Sequence, residues 1–204
     1  LEYIQKYQGN WTRFIIFTLI IGLVVAIFSV KSDNLPYFGE GTTVSVLEIV
    51  LSYIAVMINS LPMWFIVAMI VGYLFGRNIK ESMLLGTVYT VIAITLYFVI
   101  SSFYEDTSIP LSFKDQIDVF ILWYGTSIVG GCFGGCVGFL YKKTPYVLLI
   151  LLFGLILQLF LNGARSWNNI VGVSQNVTFC LMIVGIAYSL ITMKRKNRGT
   201  YSVS

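Results

Sequence analysis

The sequence predicts an all-α polytopic membrane helix bundle: six transmembrane helices plus one outer re-entrant or interfacial helix, with both termini inside. Three observations carry that expectation. Only 11% of the 204 residues are charged and 57% are hydrophobic, against about 25% charged in an average soluble domain, and a soluble fold of this length cannot hide so much apolar surface. Uncharged apolar runs recur at the roughly 20-residue length that a bilayer core about 30 Å thick asks of a helix. The basic residues fall at alternate connections between those runs.

The runs lie at 14–30, 82–104, 119–141, 144–164 and 170–193. The first follows Arg13 and looks like a signal peptide. It is longer than an ordinary signal core and no Ala-x-Ala pattern follows, so it is expected to be retained as a span. The chain begins at Leu1 rather than methionine, and residues are expected to precede it. A further uncharged stretch, 49–76, is too long for one crossing. It breaks at Asn59-Ser60-Leu61-Pro62, where Asn or Ser caps a helix and proline fits its first turn. A span at 61–76 and a separate helix at 42–58 follow. The charge on that helix, Glu48, is tolerable near the interface and costly at mid-membrane.

Orientation comes from the charges. With 42–58 outside the count, Lys6, Arg13, Arg77, Lys80, Lys142, Lys143, Lys194, Arg195, Lys196 and Arg198 all face the cytoplasm, and Lys31, Lys114 and Arg165 face out, as the positive-inside rule requires. Asp33, Glu40, Glu48, Glu105, Asp106, Asp115 and Asp118 lie outside, Glu2 and Glu81 inside. A seventh span at 42–58 would turn Lys6 and Arg13 outward. The segment 194–204 is expected to be a basic cytoplasmic tail near anionic lipid, and the setting a bacterial plasma membrane.

Several functions are excluded by what is missing. There is no histidine, the acids sit in outer loops or near the interface, and no nucleotide motif is present. Catalysis, a metal site, a cofactor and nucleic-acid binding are therefore not expected. No Lys or Arg lies at mid-membrane, so the usual charges of a proton-coupled carrier or voltage sensor are lacking. Cys132, Cys136 and Cys180 fall in apolar runs and read as soft packing residues.

Two groups of residues stand out as candidates. Gly130, Gly131, Gly134, Gly135 and Gly138 in the fourth span recur at four-residue spacing, which lets helices approach closely, within the bundle or at an interface with a second subunit. At the outer rim, Asn59, Trp64, Asp118, Trp123, Asn162, Arg165 and Trp167 fall at span ends or loops. A mixed acidic and aromatic vestibule suits a cationic or amphipathic ligand through charge and cation–π attraction. Gln158 in the fifth span, and Gln175 with Asn176 in the sixth, are polar groups inside apolar runs that hydrogen-bond between helices or line a path. Met63-Trp64 with Gly72 and Gly76 matches Leu122-Trp123 with Gly131 and Gly135 at equal offsets, the pattern of a two-span parallel repeat.

The order of these features resembles an uncharacterised family of bacterial multi-span membrane proteins, a domain of unknown function. The shared features are an interfacial helix ending in Asn59-Ser60-Leu61-Pro62-Met63-Trp64, a small-residue-rich span, a basic turn, and a tryptophan-led glycine-rich span. The resemblance runs over about 14–193 and implies architecture without an activity. Members of that family carry an acidic residue late in the fifth span, where Leu161-Asn162-Gly163 stands here. In size and layout the chain is also similar to the substrate-binding membrane subunits of energy-coupling-factor vitamin transporters, without their small-residue motif in the first span. It is similar as well to ABC exporter permeases, with 1–11 in the place of their elbow helix. These likenesses imply a non-enzymatic membrane component of a transport or resistance system, with an ATPase or other membrane subunit as partner. The alternatives are a homo-oligomeric channel or pore and a membrane scaffold subunit.

Overall fold

The computed structural model describes residues 2–35, 45–104 and 113–200, with the side chains of 2–9, 113 and 194–200 left aside. It is built of helices: α1 (Glu2–Asp33), α2 (Val46–Ile58), α3 (Leu61–Phe75), α4 (Ile79–Ser101), α5 (Phe113–Tyr141), α6 (Leu148–Asn162) and α7 (Ile170–Thr200). Short 3-10 turns, Pro145–Val147 and Ala164–Trp167, flank α6. Among the described residues there is no strand.

The helix starts follow local chemistry. At α2, Ser45 accepts from the Glu48 backbone N–H (3.2 Å), and Glu48 Oε2 accepts from the Ser45 N–H (2.8 Å), a reciprocal capping box. Asn78 caps α4 by accepting from the Glu81 N–H at 2.9 Å. Pro62 sits in the first turn of α3 behind Ser60, where its missing N–H costs nothing.

Five helices are each long and apolar enough to cross a membrane, and α2 with α3 makes a sixth only as a pair bent by 61°. The span expected at 61–76 is α3, whose 15 residues, about 22 Å at 1.5 Å per residue, fall short of the ~30 Å core, so it passes for a span only together with α2. The chain still passes from one end of the bundle to the other along α3. Asn59, just before it, bonds to Asp33 at the end of α1, and Phe75 at its far end packs on Phe14 and Phe17. Other expected boundaries shift as well. The helix expected over 42–58 begins at Val46, with 42–44 outside the described residues. α1 runs unbroken from Glu2, so 2–11 forms no separate elbow, and α7 continues to Thr200 through most of the expected tail. Glu40, Glu105 and Asp106 lie outside the described residues.

Directions alternate through the bundle. Gly22 of α1 faces Ala93 and Leu96 of α4, and Asp33, later in α1, bonds to Tyr97, later in α4 than Ala93, so these two helices run parallel. α5 runs antiparallel to α4, with Phe120 on Phe98 near one end and Gly135 against Ser82 near the other. α6 and α7 form an antiparallel pair through Leu151, Leu155 and Phe179. The chain ends of α1 and α7 thus lie at the same end of the bundle. That end carries Arg77, Lys80, Lys142 and Lys143, the end the positive-inside rule assigns to the cytoplasm.

Two clusters form the core. Phe14, Ala68, Val71, Phe75, Leu85, Tyr89 and Ala93 join α1, α3 and α4, and Leu151, Leu155 and Phe179 join α6 and α7, with Met57, Phe65 and Ile66 reaching in from α2 and α3. Large apolar side chains also cover the outside, Ile16, Ile20, Phe133, Phe153, Phe160 and Leu181 among them. Exposed apolar surface on that scale needs a partner, and a lipid bilayer supplies it. The two hairpins of the proposed repeat pack differently: α3 lies on α4, whereas α5 lies on α3 and α4, and α6 lies on α7.

At the basic end, Lys142 Nζ donates to the Gly76 carbonyl at the end of α3 (2.6 Å) and lies 5.7 Å from the Tyr73 and Phe139 ring centres. A cation there complements the α3 dipole. Desolvation by these neighbours lowers the Lys142 pKa from its ordinary 10.5, offset in part by Glu81. The unfolded chain therefore holds a proton that the folded one has shed in the window below 10.5, so this group makes stability rise with pH through that window. Unfolding followed across the window is expected to show the rise in wild type and a flatter profile in Lys142→Met.

Candidate functional site: a carboxamide cluster joining α2, α6 and α7

Near the end of the bundle opposite the basic turns, α6 and α7 turn four side-chain amides toward one another. Asn162, at the last residue of α6, is the hub. Its Oδ1 accepts from Gln158 Nε2 (2.7 Å), and its Nδ2 donates to Asn176 Oδ1 (2.8 Å) and Gln175 Oε1 (3.3 Å). Helical spacing explains the local pairs, since residues 158 and 162 sit one turn apart on one face. Gly163, at φ 63, takes the left-handed conformation that glycine adopts freely and turns the chain into the 3-10 segment, bringing Ser166 back over α7. Asn176 Nδ2 then donates to Ser166 Oγ (2.7 Å), and Ser166 Oγ donates to the Gly163 carbonyl (2.8 Å). Gly172 admits this approach, because a Cβ there would overlap the Ser166 backbone.

The last turn of α2 closes the cluster. Gln175 Nε2 donates to the Val56 carbonyl (3.1 Å), and Tyr53 OH lies 2.8 Å from Thr178 Oγ1. Thr178 gives its own proton to the Ser174 carbonyl, so Tyr53 is the donor of that pair. Gln175 and Asn176 are buried, Asn176 completely. Gln158 Oε1 is shielded from solvent and has no hydrogen-bond partner among the described residues.

A second polar contact steadies α2. Asp33 Oδ1 accepts from Asn59 Nδ2 (2.8 Å) and Oδ2 from Tyr97 OH (2.6 Å), tying the α2–α3 break to the ends of α1 and α4.

The expected site residues are thus divided. Gln158 and Asn162 lie in the cluster. Asn59 belongs to the Asp33 contact, and Trp64 packs against the α1–α3–α4 core instead of lining a vestibule. Asp118 and Trp123 lie exposed on the outer half of α5, away from the cluster, and Arg165 and Trp167 are exposed on the 3-10 turn beside it. Among the described residues these side chains do not converge on one vestibule. Ser166, Val56, Tyr53 and Thr178 carry no sequence signal of their own, since their roles arise only once α2, α6 and α7 meet. No group of three or more His, Cys, Asp or Glu side chains gathers among the described residues.

Four of the five candidate glycines are consumed by packing inside the chain. A Cβ on Gly131 would strike Thr90 and the Gly86 backbone, and one on Gly135 the Ser82 backbone; on Gly134 it would meet Ala68, and on Gly138 the Met69 backbone. Gly130 has open space around it. Gly72 of α3 and Gly86 of α4 complete the seam against α5, bringing three backbones into direct contact as small residues permit.

Comparison of the chain with protein-family models, with curated proteins and with solved structures finds no match.

Proposed function

We propose that the chain is a non-enzymatic membrane component of a transport or resistance system that binds a small or amphipathic ligand from the outer side. The binding place in this reading is the carboxamide cluster, and an ATPase or another membrane subunit supplies the energy. The supporting observation is the cluster itself: four amides drawn from otherwise apolar segments of α6 and α7 and converging under α2. Such groups are poor glue. Polar contacts between membrane helices contribute about 0.6 kcal/mol each on average, while polar side chains in hydrocarbon are costly and mark function by default.

Native mass spectrometry of the tagged chain, extracted gently from its host membrane, tests this. The expected spectrum shows a non-covalent ligand that Gln158→Met loses, and a second subunit in fixed ratio. A symmetric oligomer of this chain alone, with no bound ligand, would favour the channel reading instead.

A further inference from the structure

The hydrogen-bond directions in the cluster are fixed by groups that can only accept. Backbone carbonyls have no proton to give. Val56 O therefore takes one from Gln175 Nε2, and Gly163 O takes the Ser166 proton. Ser166 Oγ, its proton committed, accepts from Asn176 Nδ2. Asn176 Oδ1 and Gln175 Oε1 both accept from Asn162 Nδ2, which leaves Asn162 Oδ1 to accept from Gln158 Nε2. Exchanging oxygen and nitrogen in any one of these amides sets like atoms against each other. The chain of donors thus leaves one side-chain atom of the cluster with no partner among the described residues, the Gln158 Oε1 acceptor, and a shielded acceptor without a donor is costly.

We infer that the ligand supplies this missing donor from an uncharged group bearing hydroxyl or amide hydrogens, such as a sugar or polyol. The inference rests on the ligand-binding reading of the same cluster and narrows it. Charge argues against a cationic group. Segments 148–162 and 170–193 contain no acid or base, and Glu48 of α2 is engaged with Ser45 at the exposed start of that helix. An ammonium donor seated at Gln158 would find no carboxylate beside it. Leu157, Phe160 and Leu161 of α6 and Val177 and Leu181 of α7 are exposed along the flanks, so the polar group can arrive on a lipid as well as from water.

The test is a binding titration of the full chain, stripped of lipid in detergent and followed by native mass spectrometry. The probes are a monoglucosyl diacylglycerol, phosphatidylglycerol, phosphatidylethanolamine and free methyl glucoside. The glucosyl lipid is expected to bind, and Gln158→Met to weaken it about tenfold, the worth of one buried hydrogen bond. Arg165→Gln is expected to leave it unchanged. Methyl glucoside binding with the same Gln158 dependence supports the same chemistry and makes the source soluble. Tighter, Gln158-dependent binding of phosphatidylethanolamine, whose donor is an ammonium, overturns the inference and spares the ligand-binding reading, whereas Gln158-dependent binding of phosphatidylglycerol, whose glycerol head bears two hydroxyls, supports it. No probe showing dependence on Gln158, in a variant that melts like wild type, overturns both.

Discussion

Gly135→Leu is expected to prevent the bundle from assembling, while Gly130→Leu leaves it folded. The two positions share one helix and one residue type, and differ only in what they face. Gly135 meets the backbone of Ser82 in α4 and of Gly72 in α3, whereas nothing lies within reach of Gly130. Backbone cannot rotate aside as a long side chain can, so a leucine there forces α3, α4 and α5 apart. Overpacking a fitted core costs about 1–3 kcal/mol. A seam of three backbones stands at or above the upper end, a large share of the ~5–15 kcal/mol that holds an ordinary domain. Yield of monodisperse protein and the midpoint of thermal unfolding in detergent measure it. The same pair separates packing from assembly: if the glycine-rich helix joined two copies through its free face, Gly130→Leu would change the oligomeric mass.

Asn162→Leu is expected to cost about 2 kcal/mol and to release α6 from the cluster. The substitution strips Gln158 of its acceptor, and Asn176 and Gln175 of a donor, three contacts in all. At the values measured between membrane helices, about 0.6 kcal/mol on average with a maximum near 1.7, three such losses sum to that figure. The double variant Asn162→Leu with Asn176→Leu should cost less than the two single changes added together. The second replacement removes a polar group that the first had already orphaned, and residues of one network do not act independently. Additive losses would mean that the two amides do not interact in the folded protein.

How much of this was legible in the sequence depends on whether a feature is local. The helices follow from apolar length and charge placement: α5 ends at Tyr141 where Lys142-Lys143 begin, and the break between α2 and α3 falls at Asn59-Ser60, ahead of Pro62. Helix starts were less legible, because α1 and α5 extend past the apolar run into polar residues that continue the same turns. Trp64, placed at the outer rim by its position at a span end, is half-buried and packs against the α1–α3–α4 core, a contact with no pattern in the sequence. The glycine spacing announced close approach, but not that Gly131 serves α4, Gly134 and Gly138 serve α3, and Gly135 serves both. Within the site, Gln158 and Asn162 were visible as polar residues in or at the end of an apolar run. Their partners Ser166 and the Val56 carbonyl were not, because a hydroxyl on a turn and a backbone oxygen have no pattern. Tyr97 and Asp33 are likewise joined only by the parallel packing of α1 and α4.

The carboxamide cluster lies at the end of the bundle away from the basic turns, and thiol labelling in whole cells tests most directly the proposal that this end faces out. With Cys132, Cys136 and Cys180 replaced by alanine, Arg165→Cys places a thiol on the exposed turn beside the cluster, and Lys143→Cys places one at the basic end. A membrane-impermeant maleimide is predicted to label the first in intact cells and the second only after permeabilisation. Labelling of Lys143→Cys in intact cells, with Arg165→Cys protected until the membrane is opened, would contradict the outward-facing site.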